Sequence, residues 1–158
     1  MEDNKPTSSE FDSVDPAPPS NEKSINKLQN ILCDESERMF LRMRALFSLR
    51  NIGGDEAIDG LAAGFSSSSA LLKHEIAYVL GQMQDPYSVD ALIDRLSDLD
   101  EDVMVRHEAA EALGAIGDLR SMSVLEEFID DESIVVSESC EVAIDLLNWV
   151  NSNRLDYS

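Results

Sequence analysis

Two stretches of this chain are near copies of one another: KHEIAYVLGQMQD, from Lys73 to Asp85, and RHEAAEALGAIGD, from Arg106 to Asp118. Each opens on a basic residue and His-Glu, continues as an apolar stripe with helical spacing, and closes on an aspartate. The two copies stand thirty-three residues apart. Apolar residues recur at steps of three and four, which is the signature of an amphipathic helix rather than a strand. A register of this length holds two helices and a turn, a unit too small to bury its own apolar face. It becomes stable by stacking on copies of itself. The repeat therefore predicts an all-α chain built as an α-solenoid.

The same frame extends in both directions. LRMRALFSLRNIGGDEA (Leu41 to Ala57) sets Leu46, Leu49 and Ile52 where the second repeat has Ala77, Leu80 and Met83. SESCEVAIDLL (Ser137 to Leu147) matches more loosely. A shorter amphipathic stretch precedes each long one: INKLQNILCD, DEAIDGLAAGF, SVDALIDRLSD and MSVLEEFIDD. That makes about four helical hairpins of HEAT type. Gly53, Gly81 with Asp85–Pro86, and Gly117 with Asp118 mark the expected ends of the second helices. Ala77, Gly81, Ala109, Ala110, Ala112, Gly114 and Ala115 are small enough for neighbouring helices to approach closely. Residues 1–20, rich in Ser, Pro, Asp and Glu, form an expected disordered or extended lead-in. The repeat domain is expected over 21–153 and a short tail over 154–158.

Composition narrows the class of partner. With 32 acidic residues against 12 basic, the net charge of −20 opposes binding to a nucleic-acid backbone and favours a cationic partner or substrate. A strongly solvated acidic surface would give the same count. Cys33 and Cys140 are far apart and form no CxxC pair, so they read as buried free thiols of a reducing compartment. No apolar run approaches the roughly 18 residues needed to cross a bilayer, and the first residues hold no hydrophobic signal segment. A cytoplasmic protein with no membrane and no nucleic acid among its partners is expected.

His74 and His107 are the only histidines, they occupy equivalent repeat positions, and each is followed by a glutamate. Equivalent positions on successive second helices lie side by side, with axes roughly 8–10 Å apart. Two imidazoles entering one groove at that spacing can converge on a metal, with bonds of about 2 Å. Adjacent helical residues diverge by about 100°, so the histidine and glutamate of one pair point differently. One glutamate can then be a ligand while the other serves a neighbouring task. Two histidines and a carboxylate with open positions form the arrangement used by non-haem iron that activates oxygen, and His74, His107 and Glu108 could supply it. The alternative is that both histidines pack or cap within the repeat. Against it, the outer repeats carry Met43 and Glu138 at the matching place, so stacking does not require histidine. HExxH, a phosphate-binding glycine loop, GxSxG and a Cys-His nucleophile arrangement are absent. Tyr78, one turn beyond His74, faces the groove or the core. Glu111, one turn beyond His107, adds to the negative field or faces solvent.

ALLKHEIAYVLGQMQD and MVRHEAAEALGAIGD, with RALFSLRNIGG before them and ESCEVAIDLL after, closely resemble deoxyhypusine hydroxylase, over roughly Ser13 to Leu147. That family consists of HEAT-repeat dyads that hold a di-iron centre between two similar halves. They use molecular oxygen to hydroxylate the deoxyhypusine side chain of a translation factor. The resemblance implies iron as cofactor and His74, His107 and Glu108 as ligands. It makes Glu75 a substrate-facing carboxylate that is also counted with the metal site. No catalytic residue is implied beyond these. A complete family member has four His-Glu pairs, and this chain has two. SVDPAPP (Ser13 to Pro19) resembles the connection before the second half, so the chain looks like the C-terminal half. The partners implied are a deoxyhypusine-bearing translation factor and a second His-Glu-bearing surface, from another half or a homodimer. Two other readings carry over from the repeats alone: a non-catalytic HEAT-repeat scaffold or adaptor, and a relative of HEAT-like bilin lyases, in which EALGAIGD-type patterns recur.

Overall fold

A computed structural model describes residues 14–152. The eight α-helices among them alternate short and long: α1 (Ile25–Cys33), α2 (Met39–Ile52), α3 (Asp55–Ala63), α4 (Ala70–Met83), α5 (Val89–Ser97), α6 (Val103–Ile116), α7 (Met122–Glu127) and α8 (Ile134–Asn151). The all-α class of paired helices expected from the period is the one observed. The chain divides into two compact units, Met1–Ser66 and Ser67–Ser158. The lead-in expected over residues 1–20 falls largely outside the described residues, and the tail over 154–158 falls wholly outside them.

In the first unit, α1 pairs with α2, and α3 packs on both. Leu28, Leu32, Leu46, Leu49, Ile58 and Leu61 are fully or almost fully buried between them. Each such side chain contributes about 2 kcal/mol of transfer free energy. Ile52, at the last turn of α2, is 39% exposed, so the apolar stripe ends one turn before the helix does. Residues 15–20 are tied along α2. Arg50 meets Asp15 at 2.7 Å, Arg44 donates to the Pro18 and Pro19 carbonyls, and the Ser20 N–H donates to Ser48 Oγ.

In the second unit the long helices stack in order, α4 on α6 and α6 on α8, with α5 and α7 behind them. Glycine sets the spacing. A Cβ on Gly81 would meet Ala112 Cα at 3.0 Å, and one on Gly114 would meet Ala143 Cα at 3.0 Å. Gly81 therefore acts at a helix contact, as its place among the small residues implied, and not at the helix end that the sequence also assigned to it. Helix α4 runs on to Met83 and stops at Gln84, which adopts the left-handed conformation at φ 53°. Gly117 takes that position after α6, at φ 79°. Asp85 and Asp118 then each accept a backbone N–H two residues on and start a 3-10 turn, Pro86–Ser88 and Leu119–Ser121. Cys140 is buried, whereas Cys33 is only partly so, and neither forms a disulfide. Burial pushes the Cys140 thiol up to about 11, which keeps it protonated and unreactive.

Candidate metal centre

The local sequence places the two histidines by the same device. Ser69 caps α4 by accepting from the Leu72 N–H, and Asp102 caps α6 by accepting from the Met104 N–H. Counted from its cap, each histidine is the fifth residue and each glutamate the sixth. With α4 and α6 held close at Gly81 and Ala112, the two histidines reach a common target. His74 Nε2 lies 3.0 Å from Glu108 Oε1, and His107 Nε2 lies 3.7 Å from the same oxygen. Both imidazoles and the Glu108 carboxylate are thus brought together, as the repeat predicted.

Glu111 completes a group that sequence reasoning left outside the ligand set. Its Oε1 is 3.8 Å from His107 Nδ1, and donor atoms of His107, Glu108 and Glu111 lie close enough together to hold a metal ion. The i,i+4 spacing from His107 was the available signal. His74 joins this group through Glu108. Glu75 is half-buried, and its charge acts on Glu108.

Electrostatics favour a cation here. Burial is the largest influence on Glu108 and pushes its carboxyl above the usual range. The His74 imidazole opposes that shift, Glu111 adds to it, His107 opposes it and Glu75 adds to it. The basic residues adjoining the histidines are directed elsewhere. Lys73 donates to Glu101 at 2.6 Å, and Arg95 donates to the same carboxylate at 2.7 Å. Arg106 donates to the Leu96 carbonyl at 2.9 Å and to Asp131 at 2.6 Å, with its guanidinium over the Phe128 ring. These cations bind the loops of the stack and leave three carboxylates beside two imidazoles. That donor set suits a divalent transition metal.

Sequence reasoning also missed Ser139. Its Oγ lies 2.6 Å from His107 Nδ1, the ring nitrogen other than the one that approaches Glu108. It is the sixth residue after the α8 cap, Ser133, and so takes the repeat position of Glu75 and Glu108. Tyr78 is exposed, with its hydroxyl 3.4 Å from Gln82 Nε2.

Stacked hairpins with this punctuation define a HEAT protein, and the family model for HEAT repeats matches residues 58–145. The chain belongs to the HEAT-repeat family. Within it, the relatives most similar in sequence include deoxyhypusine hydroxylase of Danio rerio, 49% identical over 92% of this chain and 48% of that protein. Deoxyhypusine hydroxylase of Homo sapiens is 45% identical over 98% of this chain and 51% of that protein. The solved structure of human deoxyhypusine hydroxylase in complex with glycerol superposes with a TM-score of 0.86, at 47% identity, covering 91% of this chain and 50% of that one. The resemblance read from the two His-Glu segments is thereby borne out. The chain spans about half the length of the curated relatives it matches. A model for the PBS lyase HEAT-like repeat matches residues 41–67, a stretch that contains neither His-Glu pair. No helix among the described residues is long and apolar enough to cross a membrane.

Proposed function

We propose that this chain supplies one iron-holding half of a deoxyhypusine hydroxylase, the half that is C-terminal in its relatives. The observation that carries the reading is the convergence of the only two histidines, from successive repeats, on one nearly buried carboxylate oxygen of Glu108. A packing role does not account for a buried carboxyl flanked by two more acids, with Lys73 and Arg106, the basic residues before the two histidines, engaged elsewhere. His74, His107 and Glu108 would hold the iron, with Glu111 beside His107 as a further carboxylate of the group. Iron, when bound, supplies the redox chemistry by which an atom of molecular oxygen enters the substrate.

The chain's own residues bind and orient. Deoxyhypusine is a long polyamine side chain carrying positive charge, and a protein of net charge −20 draws such a substrate towards its surface. Glu75, next to His74 but diverging from it on the helix, is the carboxylate that meets the substrate ammonium at the edge of the metal site. The partner is a translation factor bearing deoxyhypusine. The working enzyme pairs this surface with a second set of His-Glu ligands, from another half or a second copy of this chain.

Metal analysis of the purified chain tests the reading. Iron is expected to bind the wild type and to be lost from folded His74→Ala and His107→Ala, since either change leaves a weak, mostly carboxylate site. Normal iron loading in folded His107→Ala would overturn it.

A further inference from the structure

His107 is held at Nδ1 by a hydroxyl whose own proton is already committed. Ser139 Oγ lies 2.6 Å from His107 Nδ1 and also 2.6 Å from the Val135 carbonyl oxygen. A carbonyl oxygen cannot donate, so the single hydroxyl proton points to Val135 and the serine oxygen faces the imidazole as an acceptor. Nδ1 must then carry a hydrogen. In the neutral ring this leaves the lone pair on Nε2, the nitrogen that faces Glu108 at 3.7 Å. His74 stands the other way round. Its Nε2 lies at hydrogen-bond distance from Glu108 Oε1, 3.0 Å, and donates to that oxygen, so the proton of its neutral form sits on Nε2.

The contrast follows from the repeat. The sixth residue after each cap receives the histidine of the preceding repeat: Glu108 receives His74, and Ser139 receives His107. A carboxylate stands at the centre of the site, and a hydroxyl takes the same position where the row of ligands ends. We propose that Ser139 is a positioning residue that fixes the tautomer and ring orientation of His107, so that Nε2 and not Nδ1 is offered to the cation. The bond to Ser139 also prevents Nδ1 from turning towards Glu111, which is 3.8 Å away. This role rests on the metal reading above. Outer partners of this kind raise metal affinity by holding a ligand ready.

Long-range 1H–15N correlation spectra of the histidine-labelled, chelator-treated chain, at a pH where both rings are neutral, test the assignment without metal or activity. His107 is expected as the Nδ1–H tautomer and His74 as the Nε2–H tautomer. Ser139→Ala is expected to release His107 from that form and to weaken ferrous iron binding by roughly 10- to 100-fold, with Ser139→Thr restoring both. An Nε2–H tautomer at His107 in the wild type would overturn the proposal before any variant is made. Wild-type iron affinity in Ser139→Ala would overturn the positioning role alone. The expected tautomers in a wild type that binds no iron would overturn the metal reading, and the positioning role with it.

Discussion

His74 Nε2 and Glu108 Oε1 lie 3.0 Å apart although they belong to different repeats, so the contact exists only when α4 and α6 are stacked. Neither hairpin contains the site by itself. Stacking that the apolar stripe requires for stability also assembles the donor atoms, so a cation held by them would be held only by the folded unit.

The two glutamates are expected to separate on mutation. Glu108→Ala should lose iron, because it removes the oxygen that both imidazoles approach. Glu75→Ala should retain much of the iron and bind a polyamine ligand poorly. Metal analysis beside calorimetric titration with the polyamine makes the comparison. Equal iron loss in two folded variants would contradict the division of roles.

The Arg106–Asp131 pair predicts a defined response to acid. The hydrogen bond from Arg106 holds the Asp131 carboxyl below its usual range. A carboxyl lowered in the folded state stabilises that state at every pH above its unfolded value of about 3.9, and the contribution disappears as pH falls through the folded value. Asp131→Asn leaves the buried guanidinium unpaired and is expected to cost about 3 kcal/mol at neutral pH. Urea unfolding of the two proteins from pH 7 downward should show the gap closing only below about pH 4. A gap that persists unchanged in strong acid would contradict the role given to this pair.

Gly114 is expected to resist even the smallest side chain. Alanine would gain about 1 kcal/mol of helix propensity over glycine. Its Cβ would press on the Ala143 backbone at 3.0 Å, and overpacking of this kind typically costs 1–3 kcal/mol. Gly114→Ala should therefore lower the thermal midpoint of the chain. An increase would show that the contact between α6 and α8 yields easily.

The hairpins were legible because periodicity at three and four residues is local and recurs at a fixed register. The end of α4 was not. Gly81 carries the usual helix-stop residue type but is needed against Ala112, while the actual stop falls on Gln84, a residue with no strong turn signal. His74, His107 and Glu108 were legible because two equivalent His-Glu pairs stand out against repeats that lack histidine. Ser139 was hidden by its ordinariness. Its role appears only when the sixth position of each long helix is compared across the stack, and the loosely matching last repeat gave little reason to do so. Lys73 and Arg106 were visible as the basic residues that open both segments. Their partners, Glu101 and Asp131, lie in the loop inside the following hairpin, and no local pattern connects them.

The central claim is that this chain brings one set of iron ligands to a hydroxylase that needs two. The most direct measurement is mass spectrometry of a deoxyhypusine-bearing substrate after incubation with iron-loaded chain of known solution mass. The strictly monomeric chain is expected to leave the substrate mass unchanged. Adding a second His-Glu-bearing half, or driving the chain to a dimer, should add one oxygen atom per substrate, and His107→Ala should abolish the gain. Robust oxygen incorporation by the monomer alone, with no partner present, would contradict the account.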